Sequence, residues 1–316
     1  MSIFAIILTI AGLVLFEVIS SIDNAIINAE VLSTMDKKAR RWFLIYGLFI
    51  AVFVIRGLLP FLIVWFVNPT LGPLQAITAT FSSDPKVIEA VELSAPILLI
   101  GGGTFLVFLF FHWLFLESKN FGLIGEKFFY SQGVWFYAVV SILLTGIVYL
   151  SLKINPAMAF GAVVGSTAFF ITHGFKQNAE QSEQKLLQKG SMSDVSKILY
   201  LEIIDATFSI DGVLGAFAFT LSVPLILVGN GIGAFVVREF TIGNIERIKQ
   251  YKYLKNGAMY SILCLGTVMV LDSFGVHIPS WVSPLLTFTI VGYFFYKSRT
   301  QGGSQPDAVA PSSSQS

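Results

Sequence analysis

Long apolar runs recur along this chain at intervals that only a lipid solvent explains. Stretches of about 20 predominantly apolar residues, enough to carry a helix through the hydrocarbon core of a bilayer, fall at approximately 3–33, 42–67, 94–116, 131–152, 156–175, 198–222, 224–245, 257–274 and 280–297. The composition agrees with that pattern. Hydrophobic residues make up 55% and charged residues 12% of the chain, and the mean hydropathy of +0.77 lies well above that of a soluble domain. The expected fold is all-α, a polytopic membrane protein with about nine transmembrane helices. The first 20 residues lack a basic leader and read as the first span rather than as a cleavable signal. Residues 68–90 are too polar to span and read as an external loop or a re-entrant piece, and the Gly/Pro/Ser tail from Thr300 reads as disordered.

The basic residues orient these spans. With the N-terminus outside, the loops at 34–41, 117–130, 176–197 and 246–256 and the C-terminal end, counted with Lys297 and Arg299, are cytoplasmic and hold sixteen of the twenty Lys and Arg residues, whereas the external loops hold only Lys86 and Lys153. Arg56 and Arg238 lie within spans, the latter beside Glu239 in the run at 224–245. This positive-inside bias predicts a multi-pass protein of the cell membrane, N-terminus out and C-terminus in.

The first run is interrupted by charge. FEVISSIDNAIINAEV, residues 16–31, places Glu17, Asp23 and Asn24 near the middle of a span, and a second stretch, EIIDATFSIDGVLGAFAF at 202–219, repeats the arrangement. Aligning the two Ser-Ile-Asp triplets sets Glu17 opposite Asp205 and Asp23 opposite Asp211, six residues apart in both cases. The following span of each half carries one arginine, Arg56 and Arg238. In the span after that, GGGTFLVF at 101–108 aligns with CLGTVMVL at 264–271, so Gly103 and Thr104 match Gly266 and Thr267. Three matched elements in one order indicate an internal duplication. The repeated spans are separated by an odd number, so the halves have opposite orientation, the inverted repeat of many secondary transporters. The expected organisation is a first membrane repeat at 1–116, connecting spans and a cytoplasmic loop at 117–197, a second membrane repeat at 198–299 and the tail at 300–316.

At 100° per residue Glu17, Ser20, Ser21, Asn24 and Asn28 share one stripe, while Asp23 lies about 120° from Glu17. Glu202, Asp205 and Ser209 likewise share a stripe, with Asp211 about 120° off Asp205. Either each helix presents its acids to two different neighbours, or the backbone unwinds near Ser-Ile-Asp so that the acids converge. The expectation favours convergence, which Asn24 and Gly212 after the aspartates would tolerate. Antiparallel packing would set Glu17 near the depth of Asp211 and Asp23 near that of Asp205, and contact between the helices would then align four carboxylates in a column.

Ionisable groups at mid-bilayer cost roughly 2.5–3.5 kcal/mol each when unpaired. Arg56 and Arg238 are each expected to reach a carboxylate of the motif helices; in a purely structural arrangement the remaining acids would stay protonated. Four acids against two arginines leave a surplus that a bound divalent cation would neutralise. Oxygen-rich ligation favours Mn²⁺, Mg²⁺ or Ca²⁺ over zinc or copper. Glu202 is expected nearer the cytoplasmic interface.

The remaining features carry less. His112, His173 and His277 are expected to stand alone near span ends, and Asp272 to be solvated at an outer end. The Gly101–Gly103 run should permit close helix approach. Cys264 is the lone cysteine, which excludes an intramolecular disulfide or a thiolate cluster. A net charge of +1 offers no footprint for nucleic acid. With no nucleophile and base in a plausible pocket, no catalytic residues are expected and the chain does not read as an enzyme.

SSIDNA at 20–25, DATFSIDGV at 205–213, LLIGGGTFL at 98–106 and YLKNGAMYSILCLG with GVHIPSWVSP between 253 and 284 resemble the TerC-type membrane family, named for tellurium resistance. The likeness extends over most of residues 1–297, and the spacing of Glu202, Asp205 and Asp211 is closest to a divergent branch of it. Gly212 stands where members commonly place a serine. Because the family includes manganese exporters, the resemblance implies export of a divalent cation, manganese first, with no permanently bound cofactor. The positions that match its acidic motifs are Glu17, Asp23, Asn24, Glu202, Asp205 and Asp211. The partners expected are the bilayer and the transported ion, and the reading leaves homo-oligomerisation open. The alternative is a non-transporting membrane scaffold for metal loading or tellurite and metal stress resistance.

Overall fold

The computed structural model describes residues 2–47, 49–67, 85–118, 122–189, 193–243 and 251–301. Regular structure among them is helical throughout, with no strand. Most of the polar piece expected at 68–90 and the tail from 302 onward lie outside the described residues. In chain order the α-helices are α1 (Ile3–Ser20), α2 (Ile22–Ser33), α3 (Lys37–Trp42), α4 (Arg56–Val67), α5 (Pro85–Leu116), α6 (Glu126–Ser131), α7 (Phe136–Leu152), α8 (Pro156–Lys189), α9 (Asp194–Ala216), α10 (Val223–Gly243), α11 (Leu254–Ser273) and α12 (Val282–Gln301). Two π-helical segments, Phe43–Gly47 and Ile50–Ile55, lead into α4.

Five described stretches are long and apolar enough to cross a bilayer: Ile3–Ser20, Leu93–Leu116, Gly133–Leu152, Pro156–Asn178 and Leu254–Ser273. The other expected spans are helical too: 198–222 falls largely in α9, 224–245 in α10, 280–297 in α12, and 42–67 in the π segments and α4. The chain is an all-α polytopic membrane protein. Its outer surface is apolar where lipid would lie, with Phe4, Ile7, Ile142, Phe160 and Tyr296 all exposed. In such a solvent the helices gain little from the hydrophobic effect and associate through close van der Waals packing.

That packing is densest around α5, which lies against α8 on one side and α11 on the other, while α1 lies along α10. Phe105, Phe108, Phe136 and Phe169 fill one buried cluster with Leu106, Leu265 and Met269. Glycines set the approach at two seams. A Cβ on Gly165 would run into the backbone of Gly101, so α5 and α8 touch main chain to main chain. A Cβ on Gly103 would sit 2.9 Å from the Gly266 carbonyl oxygen, and one on Gly266 would sit 3.2 Å from the Gly103 carbonyl oxygen. The same seam places Gly103 against Val270 and Gly266 against Val107. These contacts are reciprocal between aligned positions, as a two-fold relation between inverted halves requires.

The first expected span is not one straight helix. It bends at Ser21, which separates α1 from α2, although the ladder survives through Ser21 N–H to Glu17 O at 3.1 Å and Ala25 N–H to Ser21 O at 2.9 Å. Adjacent serines are a recognised cause of such bends, since their hydroxyls compete for backbone acceptors. α9 continues without a break through Ser209, Ile210 and Asp211. The expected unwinding at the Ser-Ile-Asp triplets is reduced to a one-residue break at Ser21 in the first and is absent from the second, and each motif presents its acids to different neighbours.

Candidate functional site

The two motif helices run antiparallel and in contact. A Cβ on Gly212 would lie 2.9 Å from Glu17 Oε2, and farther along the seam Asn24 donates its Nδ2 to Asp205 Oδ1 at 2.6 Å. Glu17 therefore lies level with the Asp211–Gly212 step, and Asn24 with Asp205.

Glu17 is fully buried. Its Oε1 accepts from Arg56 Nη2 at 2.6 Å and from Ser21 Oγ at 2.9 Å, an ion pair between α1 and the start of α4 with both partners out of solvent. Its Oε2 has no hydrogen-bond partner among the described residues. Asp205 Oδ1 accepts a second amide donor, Asn28 Nδ2, at 2.9 Å. Having spent their nitrogens on Asp205, both asparagines leave a buried Oδ1 without a partner among the described residues.

These groups face one cavity of about 60 Å³. Glu17, Ser21, Asn24, Asn28 and Asp205 form its polar wall, Arg56 and Arg238 its cationic side, and Phe43, Ala51 and Ala234 its apolar side. At roughly 10–15 Å³ of such space per water, it has room for a few waters or one partly dehydrated ion. Among the described residues no group of three or more His, Cys, Asp or Glu side chains is placed to hold a metal. The oxygens gathered here come from two carboxylates, two amides and a hydroxyl. Hard cations accept such a mixture.

The structure thus brings Glu17, Asn24 and Asp205 together and turns the other expected acids elsewhere. Asp23 pairs with Lys255 at 2.9 Å, which also reaches Glu117 at 2.5 Å, in a partly exposed cluster. Asp211 pairs with Lys176 of α8. Glu202 does not line the cavity. It packs against Gly47 of the first π segment, and neither of its buried oxygens has a hydrogen-bond partner among the described residues. The column of four carboxylates does not form, because the hydrogen-bond ladder, kept through Ser21 and unbroken in α9, holds residues six apart on different faces.

The arginines divide as well. Arg56 reaches Glu17 as expected, but Arg238 makes no ion pair with a motif carboxylate among the described residues, and its buried Nε lacks a hydrogen-bond partner there. Asp205, the position matched to Glu17, is held by amides instead. The surplus of acid over arginine is also smaller than the motif count suggests, since Lys176 and Lys255 supply cations from helices outside the motifs.

Several contributions were missed by the sequence reading. Asn28 was visible on the Glu17 stripe, although its role was not. Lys176 and Lys255 sit at the edges of apolar runs and carried no local signal. Glu126, buried at the start of α6, accepts from Asn256 Nδ2 at 3.0 and 2.8 Å and from Tyr260 Oη at 3.1 Å, tying the connection between α5 and α7 to α11. His112 and His173, expected apart, meet with ring centroids 3.7 Å from each other.

No curated protein matches the chain, and no solved structure does. A family model described as a protein of unknown function, DUF475, matches residues 22–302, a span that takes in α2 and α9 and begins just after α1, Glu17 and Ser21. The chain belongs to the DUF475 family.

Proposed function

We propose that the protein is a secondary transporter for a hard divalent cation, manganese foremost, with Glu17, Asn24, Asn28 and Asp205 as the oxygen ligands of a site inside the membrane. One observation carries this reading: Glu17 Oε2, Asn24 Oδ1 and Asn28 Oδ1 are buried acceptors without hydrogen-bond partners among the described residues, and all three residues line one small cavity beside Asp205. Buried acceptors are nearly always satisfied, and a cation satisfies several at once. Their chemistry suits Mn²⁺, Mg²⁺ or Ca²⁺, and the resemblance to TerC-type proteins favours manganese and export.

The arginines fit the same cycle. Arg56 neutralises Glu17 when no ion is present, so the empty site can change its exposure without carrying a bare buried charge. A divalent ion entering the cavity competes with Arg56 for Glu17 and takes over that neutralisation. The charge bias supports an N-out, C-in orientation in the cell membrane.

Purified protein in liposomes tests the reading. Mn²⁺ movement that Asp205→Asn cuts by about tenfold or more, in protein of normal fold and abundance, supports it. The scaffold alternative expects no flux from the intact chain.

A further inference from the structure

Asn230 stands in the middle of α10 with 1% of its surface exposed, and neither its Nδ2 nor its Oδ1 has a hydrogen-bond partner among the described residues. Buried side-chain amides are nearly always satisfied, so one with both ends unmet calls for a reason.

Helical geometry says which way this amide faces. Gly233, three residues on, lies against Glu17 of α1, where a Cβ on the glycine would be 2.6 Å from the Glu17 Cβ and 2.7 Å from its Cγ. Leu227, three residues back, lies against Gly57 of α4, with its Cδ2 at 3.5 Å from a Cβ built on that glycine. Asn230 is midway between the two, about 60° round the helix and about 4.5 Å along it from each. It therefore faces the gap between α1 and α4, at the level where Arg56, the residue before Gly57, crosses to Glu17. One turn farther along the same face, Ala234 lines the cavity.

The crossing has two unmet atoms of its own. The ion pair uses Arg56 Nη2 and Glu17 Oε1, and Arg56 Nε and Glu17 Oε2 are buried without partners among the described residues. A cation that takes Glu17 displaces a buried guanidinium, which is costly to leave without a new acceptor. In the transport reading the spare oxygens of Asn24 and Asn28 go to the ion. Asn230 Oδ1 is an unused acceptor on the α4 side, and a guanidinium donating to it makes a charge-assisted hydrogen bond.

Resting on the transport reading above, we propose that Asn230 is a positioning residue that receives Arg56 when a cation occupies Glu17. The guanidinium turns from Glu17 Oε1 to Asn230 Oδ1, which exchanges a tie between α1 and α4 for one between α4 and α10. A neutral amide holds a guanidinium less tightly than a carboxylate does, so Arg56 returns to Glu17 once the ion departs. Occupancy of the cavity thereby selects between two discrete helix linkages.

Mn²⁺ titration of the full chain in lipid nanodiscs tests this, with a thermal melt of the ion-free protein beside it. Asn230→Leu keeps the approximate size of the side chain and removes its polar ends. Affinity for Mn²⁺ is expected to fall about tenfold or more, the scale of one lost charge-assisted hydrogen bond. The melting temperature without ion should hold or rise, because an unmet buried amide is gone. Unchanged affinity, or a lowered melting temperature without ion, overturns the role. A structure of the Mn²⁺-loaded wild type reads the switch directly. Arg56 on Asn230 Oδ1 supports it, and Arg56 still on Glu17, or Asn230 Oδ1 on the ion itself, overturns it. Asp205→Asn separates this inference from the transport reading. Mn²⁺ binding that Asp205→Asn weakens and Asn230→Leu leaves unchanged overturns the switch alone, whereas wild type that binds no Mn²⁺ overturns both.

Discussion

Asn24 donates to Asp205 at 2.6 Å, and its counterpart under the internal repeat is the approach of Glu17 to Gly212. The two contacts lie on one antiparallel seam and exchange when each half is replaced by the other. The repeat is therefore expressed in packing as well as in sequence, but its chemistry has diverged: one end of the seam pairs a carboxylate with a guanidinium, and the other holds a carboxylate with two amides.

The amides at Asp205 should be measurable in stability. Replacing Asn24 or Asn28 by leucine removes a donor from a buried carboxylate and should cost about 1.5–3 kcal/mol. Adding Asp205→Asn to either variant should return part of that loss. Reversible unfolding in mixed micelles, run as a double-mutant cycle, gives both figures.

At the other end of the seam, Arg56→Gln leaves Glu17 charged and alone in a buried site. A loss of about 3–5 kcal/mol is expected. Glu17→Gln combined with Arg56→Gln should be far milder than Arg56→Gln alone, because no uncompensated charge remains. Thermal melts of the three variants decide this, and a double variant as damaged as Arg56→Gln would show that the pair does more than neutralise.

The acids should separate functionally according to what they face. Asp205→Asn is expected to reduce Mn²⁺ flux roughly ten- to a hundredfold, the equivalent of one lost charged interaction. Asp23→Asn should leave flux near wild type, because Asp23 lies in a partly exposed cluster with Lys255 and Glu117. Flux normalised to membrane abundance is the measurement. Equal losses at both positions would return Asp23 to the ion path.

Glycines give a contrast inside one scaffold. Gly165→Ala drives a Cβ into the main chain of Gly101, where no flexible side chain can yield, and should destabilise the protein by about 1–3 kcal/mol or more. Gly146 in α7 has open space at the same position, so Gly146→Ala should stabilise by about 0.5–1 kcal/mol. Melting temperatures of the two variants should move in opposite directions.

The sequence carried whatever repeats or alternates along the chain. Paired triplets located Glu17 and Asp205, the odd span offset set the motif helices antiparallel, and the run Gly101–Gly103 marked a close helix contact. Contacts resting on a single long side chain left no such trace. Lys176 reaches Asp211, and Lys255 reaches Asp23 from more than 200 residues away, by helix packing that no local pattern encodes. The convergence of the acids was misjudged for a related reason. A serine pair and a glycine permit unwinding, but hydrogen bonds along the ladder hold the helix unless a ligand or neighbour replaces them, and lysines on adjacent helices gave Asp23 and Asp211 partners where they stood. His112 and His173 lie on different helices and are brought together by the packing of α5 on α8, which includes the tight seam at Gly101 and Gly165.

The seam through Gly103 and Gly266 has a bearing on how the two halves stay together. A surface that meets its own counterpart across a two-fold axis is the kind through which separate identical subunits associate, and for free subunits that association would weaken on dilution. Joined in one chain, the halves face each other at an effective concentration set by the connecting helices rather than by the amount of protein in the membrane, in the millimolar range for a short tether. Shallow main-chain contact between two glycines can then hold an interface that free subunits would have to secure with larger side chains, leaving the seam thin enough to slide.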